Sequence, residues 1–234
     1  MKQKHTQTAR MDCDGIARYY EALEHLAFGE RLEQRRLAFL GAVRTSQRAI
    51  VCGGGDGRFL ARLLRANPRV HVDFIELSPR MLELADRRIG SMGRAYRKRV
   101  NFHAVDVREF CPRSERYDLI VTHFFLDCFS ELELESVVAI LASWGAPGVQ
   151  WIVSDFREAQ GVLNSLWTRG LIAGLYAAFR LTTGLRVTRL PNYEAAIERA
   201  GYVQRLKEER LDGLLHSSLW DRCIRGGNLG TGDI

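Results

Sequence analysis

The stretch VCGGGDGRF, residues 51–59, places four glycines between an apolar run and an amphipathic one. The preceding RAIVCG is typical of a buried strand, and the following RFLARLLRA has the apolar spacing of a helix. Glycine permits a positive φ and leaves the main chain open to a ligand. We therefore expect a ligand-binding turn between a first strand and a first helix.

Strand and helix patterns alternate outward from this turn. The further strand patterns are HVDFIEL, VNFHAV, YDLIVTHF and VQWIVSDF, and helix patterns follow in SPRMLELADRRI and ELELESVVAILASW. After a helical NYEAAIERAG, the stretch YVQRLKEERLDGLLHSSLWDR indicates two strands that turn at Asp212-Gly213. This order predicts an α/β fold: a Rossmann-like, seven-stranded, mainly parallel sheet with an antiparallel C-terminal hairpin.

The remaining segments suggest one domain with appendages. We expect a flexible tail (1–13), an N-terminal helical cap (14–44) with two helices over Ile16–Val43, a main domain (45–222) with a helical lid at about 157–185, and a C-terminal tail (223–234). The apolar middle of the lid holds only about ten residues where a membrane span needs roughly twenty, so no stable membrane insertion is expected. It is either a buried helix or a wall over an apolar substrate.

Composition narrows the classes of partner and compartment. The 234 residues carry a formal charge of +6 and five scattered cysteines without metal-ligand spacing. No zinc site, other metal site or disulfide framework is indicated, and a cytoplasmic protein is expected. The densest basic stretch, Arg94–Arg99, is interpreted as a solvated connection, so no nucleic-acid partner is expected. Both monomer and homodimer remain open.

An acidic residue at the second strand tip specifies the ligand further. Glu76 lies about 20 residues beyond the glycines, where a carboxylate accepts hydrogen bonds from both hydroxyls of a ribose. The third glycine comes one residue too early for a dinucleotide loop, and no Gly-Lys-Ser/Thr follows as in a phosphate loop. The pattern therefore favours an adenosine ligand other than a dinucleotide or ATP.

The glycine turn, Glu76, Asp106 in HAVDVREF and the terminal hairpin together resemble the class I S-adenosylmethionine-dependent methyltransferases over about residues 45–222. The resemblance implies that the glycines line the methionine part of the cofactor, that Glu76 binds the ribose, and that Met81 and Leu82 pack near the adenine. Asp106 and Val107 would hold the adenine edge, and Thr122 would border the cofactor. The implied cofactor-binding residues are Gly53, Gly54, Gly55, Asp56, Gly57, Glu76, Leu77, Met81, Asp106, Val107, Thr122 and Tyr20.

Three sequence details refine the resemblance. ARYYEAL is similar to the segment that closes over the cofactor in methyltransferases of quinone biosynthesis, with Tyr20 and Glu21 at its tyrosine-acid positions; Glu21 replaces the usual aspartate. Val51 stands where an acid commonly precedes the glycine loop. The fourth strand ends THFF, and the absence of N-P-P-Y argues against methylation of DNA adenine or glutamine.

Catalytic and acceptor residues are expected beyond the fourth and fifth strands. His123 is the first candidate base because it ends a parallel strand and has a suitable ordinary pKa; Asp127 would orient it or bind substrate. The candidates for acceptor binding are Phe124, Asp155, Trp167 and Tyr176, with further aromatic groups from Phe125, Phe129 and Phe156. The other five histidines, His216 among them, are expected to be structural or solvated.

These features predict methyl transfer from S-adenosylmethionine, with S-adenosylhomocysteine as product, to a small apolar or aromatic acceptor. Two alternatives stay open. GGGDG is also the loop of spermidine-synthase-like aminopropyltransferases, although Thr122-His123 stands where those enzymes place an aspartate. The domain would also serve as a cofactor-binding scaffold if catalysis has been lost.

Overall fold

The computed structural model describes residues 36–112, 116–156, 191–210 and 215–223. They form one seven-stranded sheet with the strands β1 (Arg48–Cys52), β2 (His71–Ile75), β3 (Val100–His103), β4 (Tyr117–His123), β5 (Gly145–Phe156), β6 (Tyr202–Arg210) and β7 (Leu215–Arg222). The strand order is β3-β2-β1-β4-β5-β7-β6. Strands β1 to β5 are parallel, whereas β7 is antiparallel to both β5 and β6. The predicted fold class is therefore confirmed.

Within the described residues, five α-helices accompany the sheet: α1 (Arg58–Ala66), α2 (Pro79–Ser91), α3 (Arg94–Arg97), α4 (Glu131–Trp144) and α5 (Tyr193–Arg199). Helix α2 starts where the sequence predicts, because Ser78 Oγ accepts a hydrogen bond from the Met81 amide and proline occupies the first helical position. Helix α4 starts with a capping box between Ser130 and Glu133. Local sequence thus sets both helix starts.

Two apolar cores cover the two faces of the sheet. Ile50, Ile120 and Trp151 face α4 and α5 in the first core. Val51 and Leu119 face the opposite way, into a second core with α1 and α2. Adjacent residues of one strand enter different cores because side chains alternate across a sheet. With both faces covered, the strand ends are the places where a ligand gains access.

The predicted cap differs from the structure where it is described. The sequence predicts a helix through Val43, but residues 37–45 form successive turns with hydrogen bonds between residues three apart, such as Ala42 N to Phe39 O at 3.0 Å. Phe39 and Val43 nevertheless pack in the second core. The buried Asn67 amide donates to the main-chain oxygens of Val43 (3.2 Å) and Ser46 (2.6 Å), which holds the segment in this form.

Several predicted segments lie outside the described residues. They are the N-terminal tail, the cap up to residue 35, the lid at 157–185, the Asp212-Gly213 turn and the C-terminal tail after Cys223. Tyr20, Trp167 and Tyr176 belong to these segments, and the side chain of Phe156 is also not described. Among the described residues, no helix combines the length and apolarity that crossing a bilayer requires.

Candidate active site

The carboxyl ends of β1 and β4 meet at the point where strand order reverses. β1 lies between β2 and β4, so connections leave it in opposite directions along the sheet. Open α/β sheets bind ligands in the crevice that such a reversal creates. The glycine turn after β1 and residues 124–129 after β4 both lie at this crevice.

The glycine turn depends on backbone conformations that other residues rarely adopt. Gly53, Gly55 and Gly57 have φ values of 65°, 59° and 78°. Each lies in the left-handed region that favours glycine, which confirms that the turn requires positive φ.

The missing side chains of the glycines leave space that is filled by neighbouring residues at three positions and open at a fourth. A Cβ added at Gly54 would lie 2.1 Å from the Phe74 ring, and at Gly53 and Gly57 it would lie 2.5 Å from Phe125 and 2.8 Å from Ala85. These three glycines therefore make room for the protein's own side chains. A Cβ at Gly55 would meet nothing within 4 Å. Gly55 is thus where the bare main chain faces open space.

Asp56 has a structural role in the turn. Its buried carboxylate accepts hydrogen bonds from Arg58 Nε (3.1 Å) and an Arg88 guanidinium nitrogen (2.7 Å), and Arg88 Nε also donates to the Asp56 carbonyl. The Asp56 side chain is thus engaged by two arginines, and the predicted contact of Asp56 with the cofactor stays a prediction. Asp56 ties the turn to α2.

Glu76 joins the tip of β2 to the glycine turn. Its carboxylate accepts hydrogen bonds from the main-chain amides of Gly55 (2.9 Å) and Ser78 (3.0 Å). Burial raises the pKa of Glu76, and the hydrogen bonds from the Ser78 and Gly55 amides oppose the shift. The next side chain, Leu77, is 49% exposed although it is large and apolar. An acceptor of hydrogen bonds and an apolar surface therefore adjoin the open space at Gly55.

Residues of α2 and the loop after β3 complete this side of the crevice. Met81 is half-buried in the first turn of α2, and Leu82 packs against the second core. The Asp106 carboxylate accepts from the Arg108 amide (2.8 Å) and guanidinium (2.6 Å), and these contacts lower the pKa of Asp106. The Val107 side chain is buried in the first core, so its main chain is what it offers to a ligand.

The position of Thr122 at the end of β4 differs from the prediction that it borders the cofactor. Thr122 is fully buried and its hydroxyl accepts a hydrogen bond from the Trp151 indole at 3.0 Å. It therefore does not border a ligand, because it faces the first core. The adjacent His123 faces the other way and makes an edge contact with Phe59, at 4.5 Å between ring centroids.

His123 has an unusual environment. It is 5% exposed, and neither ring nitrogen has a hydrogen-bond partner among the described residues. Burial, with a contribution from Arg36, lowers the pKa of His123 well below its ordinary value. The imidazole is therefore neutral and a weak base. Phe124 follows with a φ of 52°, a strained conformation for an aromatic residue, and its ring lies 5.0 Å from the Arg36 guanidinium carbon.

Asp127 lies in a 3₁₀ turn, Leu126–Cys128, directly after β4. Its side chain contacts the Asp155 carboxyl and the Cys128 thiol, whose sulfur is 3.6 Å from Asp127 Oδ1. Asp127 therefore does not orient His123, which was one of its two predicted roles. Asp155 has no exposed surface, and its Oδ2 accepts from the Leu126 amide at 3.1 Å. Through this hydrogen bond to Leu126, Asp155 stabilises the 3₁₀ turn that carries Asp127.

Burial determines the protonation of this carboxyl pair. It raises the pKa of Asp127 to about 6. Two carboxylates in contact repel each other when both are charged, so the pair holds a shared proton below that pH. Burial and the neighbouring carboxylates raise the pKa of the Cys128 thiol, which stays protonated.

The structure shows a buried polar cluster around His216 that the sequence did not indicate. His216, expected to be structural or solvated, is 1% exposed on β7. Its Nδ1 lies 2.6 Å from the Tyr193 hydroxyl and 3.3 Å from Glu194 Oε1. In the sequence, His216 stands at an inward-facing position of a predicted strand, which was the one available indication of burial. Its partners could not be predicted, because they come from α5, more than 20 positions earlier in the chain.

Comparison with known proteins indicates a family likeness. Residues 50–149 are similar to the family model described as a methyltransferase domain. The matched segment contains the glycine turn, Glu76, Asp106 and the Asp127 turn. The fold is also shared with solved methyltransferase structures.

Two solved methyltransferases illustrate this likeness. The mitomycin 7-O-methyltransferase MmcR superposes with a TM-score of 0.66 at 18% identity, covering 90% of this chain and 58% of MmcR. The N-methyltransferase NodS from Bradyrhizobium japonicum WM9, in complex with S-adenosyl-L-homocysteine, superposes with a TM-score of 0.59 at 15% identity, covering 87% of this chain and 97% of NodS. At these identities the comparison establishes the fold.

Two curated relatives match by sequence. Polyamine aminopropyltransferase 2 from Bacillus anthracis is 29% identical over 111 residues, which cover 45% of this chain and 28% of the relative. Alpha N-terminal protein methyltransferase 1 from Arabidopsis thaliana is 27% identical over 113 residues, covering 48% of this chain and 41% of the relative. The alignments thus span less than half of either relative.

Proposed function

We propose that this protein transfers the methyl group of S-adenosylmethionine to a small, apolar or aromatic acceptor. The observation that carries the proposal is the open space at Gly55, flanked by the Glu76 carboxylate and the half-exposed Leu77. A carboxylate has about four lone-pair positions, so Glu76 retains capacity for two ribose hydroxyls beside its two amide donors. Leu77 offers an apolar contact for the adenine.

The rest of the cofactor fits the surrounding main chain. Gly55 offers bare backbone to its methionine part, and the adenine edge would lie against Asp106 and the main chain of Val107. S-Adenosylmethionine supplies the electrophilic methyl group when bound. The protein's part is to align the acceptor with that methyl and to remove a proton.

Asp127 is the better candidate for the proton-accepting group. A base works best when its pKa lies near the operating pH, and burial raises the pKa of Asp127 to about 6. The lowered pKa of His123 disfavours the gain of a proton there. We therefore assign Asp127 as base and His123 as a neutral hydrogen-bond partner for a ligand.

Aromatic side chains support an apolar acceptor. Phe125 and Phe129 contact each other edge to face, at 5.1 Å between centroids, next to the Asp127 turn. Phe124 is half-buried at the end of β4. Trp167 and Tyr176 remain predicted contributors from outside the described residues. Aromatic walls around one buried carboxyl favour phenols, quinols and amines over large polar acceptors.

Cofactor binding is tested by calorimetry with S-adenosylmethionine and S-adenosylhomocysteine. Glu76→Ala should weaken both about tenfold or more, because the ribose loses a charged acceptor worth about 1.5–3 kcal/mol. Glu83→Ala is the matched control, since Glu83 is an exposed carboxylate on α2 that pairs with Arg80 and Arg87 on the surface. Unchanged affinity in Glu76→Ala, or no heat with the wild type, would contradict the proposed cofactor site.

The acceptor class is tested with labelled S-adenosylmethionine and a panel of catechol, hydroquinone, a fatty acid and primary amines. Label transfer only to tRNA or protein would defeat the small-acceptor proposal. The curated relatives make aminopropyl transfer the second candidate. An assay with decarboxylated S-adenosylmethionine and putrescine distinguishes methyl transfer from aminopropyl transfer. Product in this assay alone would favour the aminopropyltransferase. Binding without turnover in every arm would favour a scaffold.

A further inference from the structure

Methyl transfer at this site releases a proton that has to leave a buried base. The acceptor forms a bond to the methyl carbon, the carbon–sulfur bond breaks with its electron pair going to sulfur, and a neutral O–H or N–H acceptor loses one proton. Asp127 is 6% exposed and Asp155 is 0% exposed. Asp127 must therefore return the proton to solvent in every turnover. This argument rests on the proposed function.

Polar side chains extend from Asp127 across the first-core face of the sheet. Asp127 contacts Asp155 at the end of β5. Asp155 pairs directly with His216 across β5 and β7, so their side chains lie on the same face with Cβ atoms about 4.5–5.5 Å apart. His216 Nδ1 is 3.3 Å from Glu194 Oε1. The Glu194 side chain is 20% exposed and marks the outer end of the row.

We propose that Asp155 and His216 form a proton relay that carries the acceptor's proton from Asp127 to Glu194 at the surface. The Asp127 carboxylate takes the proton and shares it with Asp155. His216 then receives it as an imidazolium at Nε2, a buried nitrogen atom that, like the Asp155 Oδ1 atom, has no hydrogen-bond partner among the described residues. Glu194 accepts the proton from Nδ1 and releases it to water. Only O–H and N–H bonds form and break along the relay. Asp155 and His216 act through Asp127, so they are positioning residues.

The charged groups around the relay favour this direction. Asp127 is faced by Asp155 and by the Cys128 thiol, and Glu76 lies close enough to influence that thiol. Carboxylates stabilise a transient imidazolium at His216. They come from three elements: Asp155 on β5, Glu194 on α5 and Glu209, which pairs with His216 across β6 and β7. Tyr193 completes the surroundings of His216 with a hydroxyl 2.6 Å from Nδ1. Lys207 contacts Glu194 (3.9 Å) and Glu209 (2.7 Å) and balances their charge.

The shared proton is measurable without any substrate. Infrared spectra of the wild type in deuterated buffer should show a protonated carboxyl band that persists towards neutral pH. Asp127→Asn and Asp155→Asn should each lower the pH at which the band disappears, because each removes one of two carboxyls that repel each other when charged. Glu76→Ala identifies the contribution of Glu76, whose pKa burial also raises. A wild-type spectrum without this band above the ordinary pKa of aspartate would overturn the relay, whether or not the protein methylates anything.

Turnover of catechol with labelled S-adenosylmethionine tests the outer half. His216→Ala should lower kcat about 100-fold at an unchanged KM for S-adenosylmethionine, and added imidazole should restore most of it by replacing the missing proton carrier. In the wild type, kcat/KM should rise with pH around 6 as Asp127 loses its proton, and Asp155→Asn should shift this profile.

The controls separate the relay from a packing role. Glu208→Gln lies on β6 next to Glu209 but on the opposite face, and it should leave kcat unchanged. His216→Gln fills the same space without carrying a proton, so it should be as slow as His216→Ala. Activity of His216→Gln near the wild-type level, or a His216→Ala defect that imidazole does not relieve in a folded protein, would overturn the proposal. Failure of the wild type on catechol counts against the proposed acceptor class, and the infrared result then decides the relay.

Discussion

At the residue scale, neighbouring glycines of one turn have different tasks. Gly54 is needed because the Phe74 ring occupies the position that a side chain would take. Gly55 adopts a φ of 59° and its missing side chain leaves open space. Substitutions at the two positions should therefore damage different properties.

Gly54→Ala and Gly55→Ala test this division. Gly54→Ala should lower the free energy of unfolding by about 1–3 kcal/mol, because the methyl group overpacks against Phe74. Gly55→Ala should cost on the order of 1 kcal/mol in backbone strain but weaken S-adenosylhomocysteine binding more than Gly54→Ala does, since its methyl enters the crevice. Urea denaturation and calorimetry measure the two effects. Equal binding losses would refute separate roles.

At the element scale, predictions from the sequence succeeded where the signal was local. The helices predicted from SPRMLELADRRI and ELELESVVAILASW are present, and Ser78-Pro79 and Ser130 with Glu133 start them, because a cap involves residues only three positions apart. The positive φ angles expected in the glycine turn are also confirmed, whereas ribose binding by Glu76 stays a prediction. The segment at residues 37–45 was predicted wrongly because its conformation depends on Asn67, more than 20 positions away.

The same limit explains the errors in the site. Thr122 was assigned to the crevice because it ends a strand, but its hydroxyl binds Trp151 on the adjacent strand. Asp127 was paired with His123 from proximity in the sequence, although Asp127 contacts Asp155 and neither ring nitrogen of His123 has a hydrogen-bond partner among the described residues. Sequence order shows where a strand ends, but alternation and register decide which side chains meet.

Asn67 provides the test at this scale. Its Oδ1 also accepts from the amides of Arg69 (3.0 Å) and Val70 (3.1 Å), so one side chain serves four main-chain groups. Asn67→Ala should lower the free energy of unfolding by about 3 kcal/mol because buried main-chain groups lose their partners. Asn101→Ala, which removes one exposed contact to Asp73, should change it by less than about 0.5 kcal/mol in urea denaturation. Similar losses in both variants would contradict the bracing role of Asn67.

At the scale of the whole molecule, the charge of +6 has to be reconciled with a small-molecule site. The densest basic stretch forms the short helix α3 and its exit, and part of it serves the fold. Arg97 pairs with Asp86, and Arg99 donates to the main-chain oxygens of Leu64 (2.9 Å) and Asn67 (2.8 Å). These cations therefore hold α1, α2 and β3 together, which leaves fewer of them for an anionic partner.

We accordingly expect only weak, salt-sensitive binding to nucleic acid. Fluorescence anisotropy with labelled single-stranded RNA should show association at low salt that disappears by about 0.15 M salt, because a few phosphate contacts depend steeply on counterion release. Arg94→Glu with Lys98→Glu, two exposed positions of the stretch, should abolish the low-salt signal without affecting S-adenosylhomocysteine binding. Saturable binding that survives physiological salt and requires Arg94 and Lys98 would contradict this account. It would identify the basic stretch as a nucleic-acid contact and reopen RNA as the methyl acceptor.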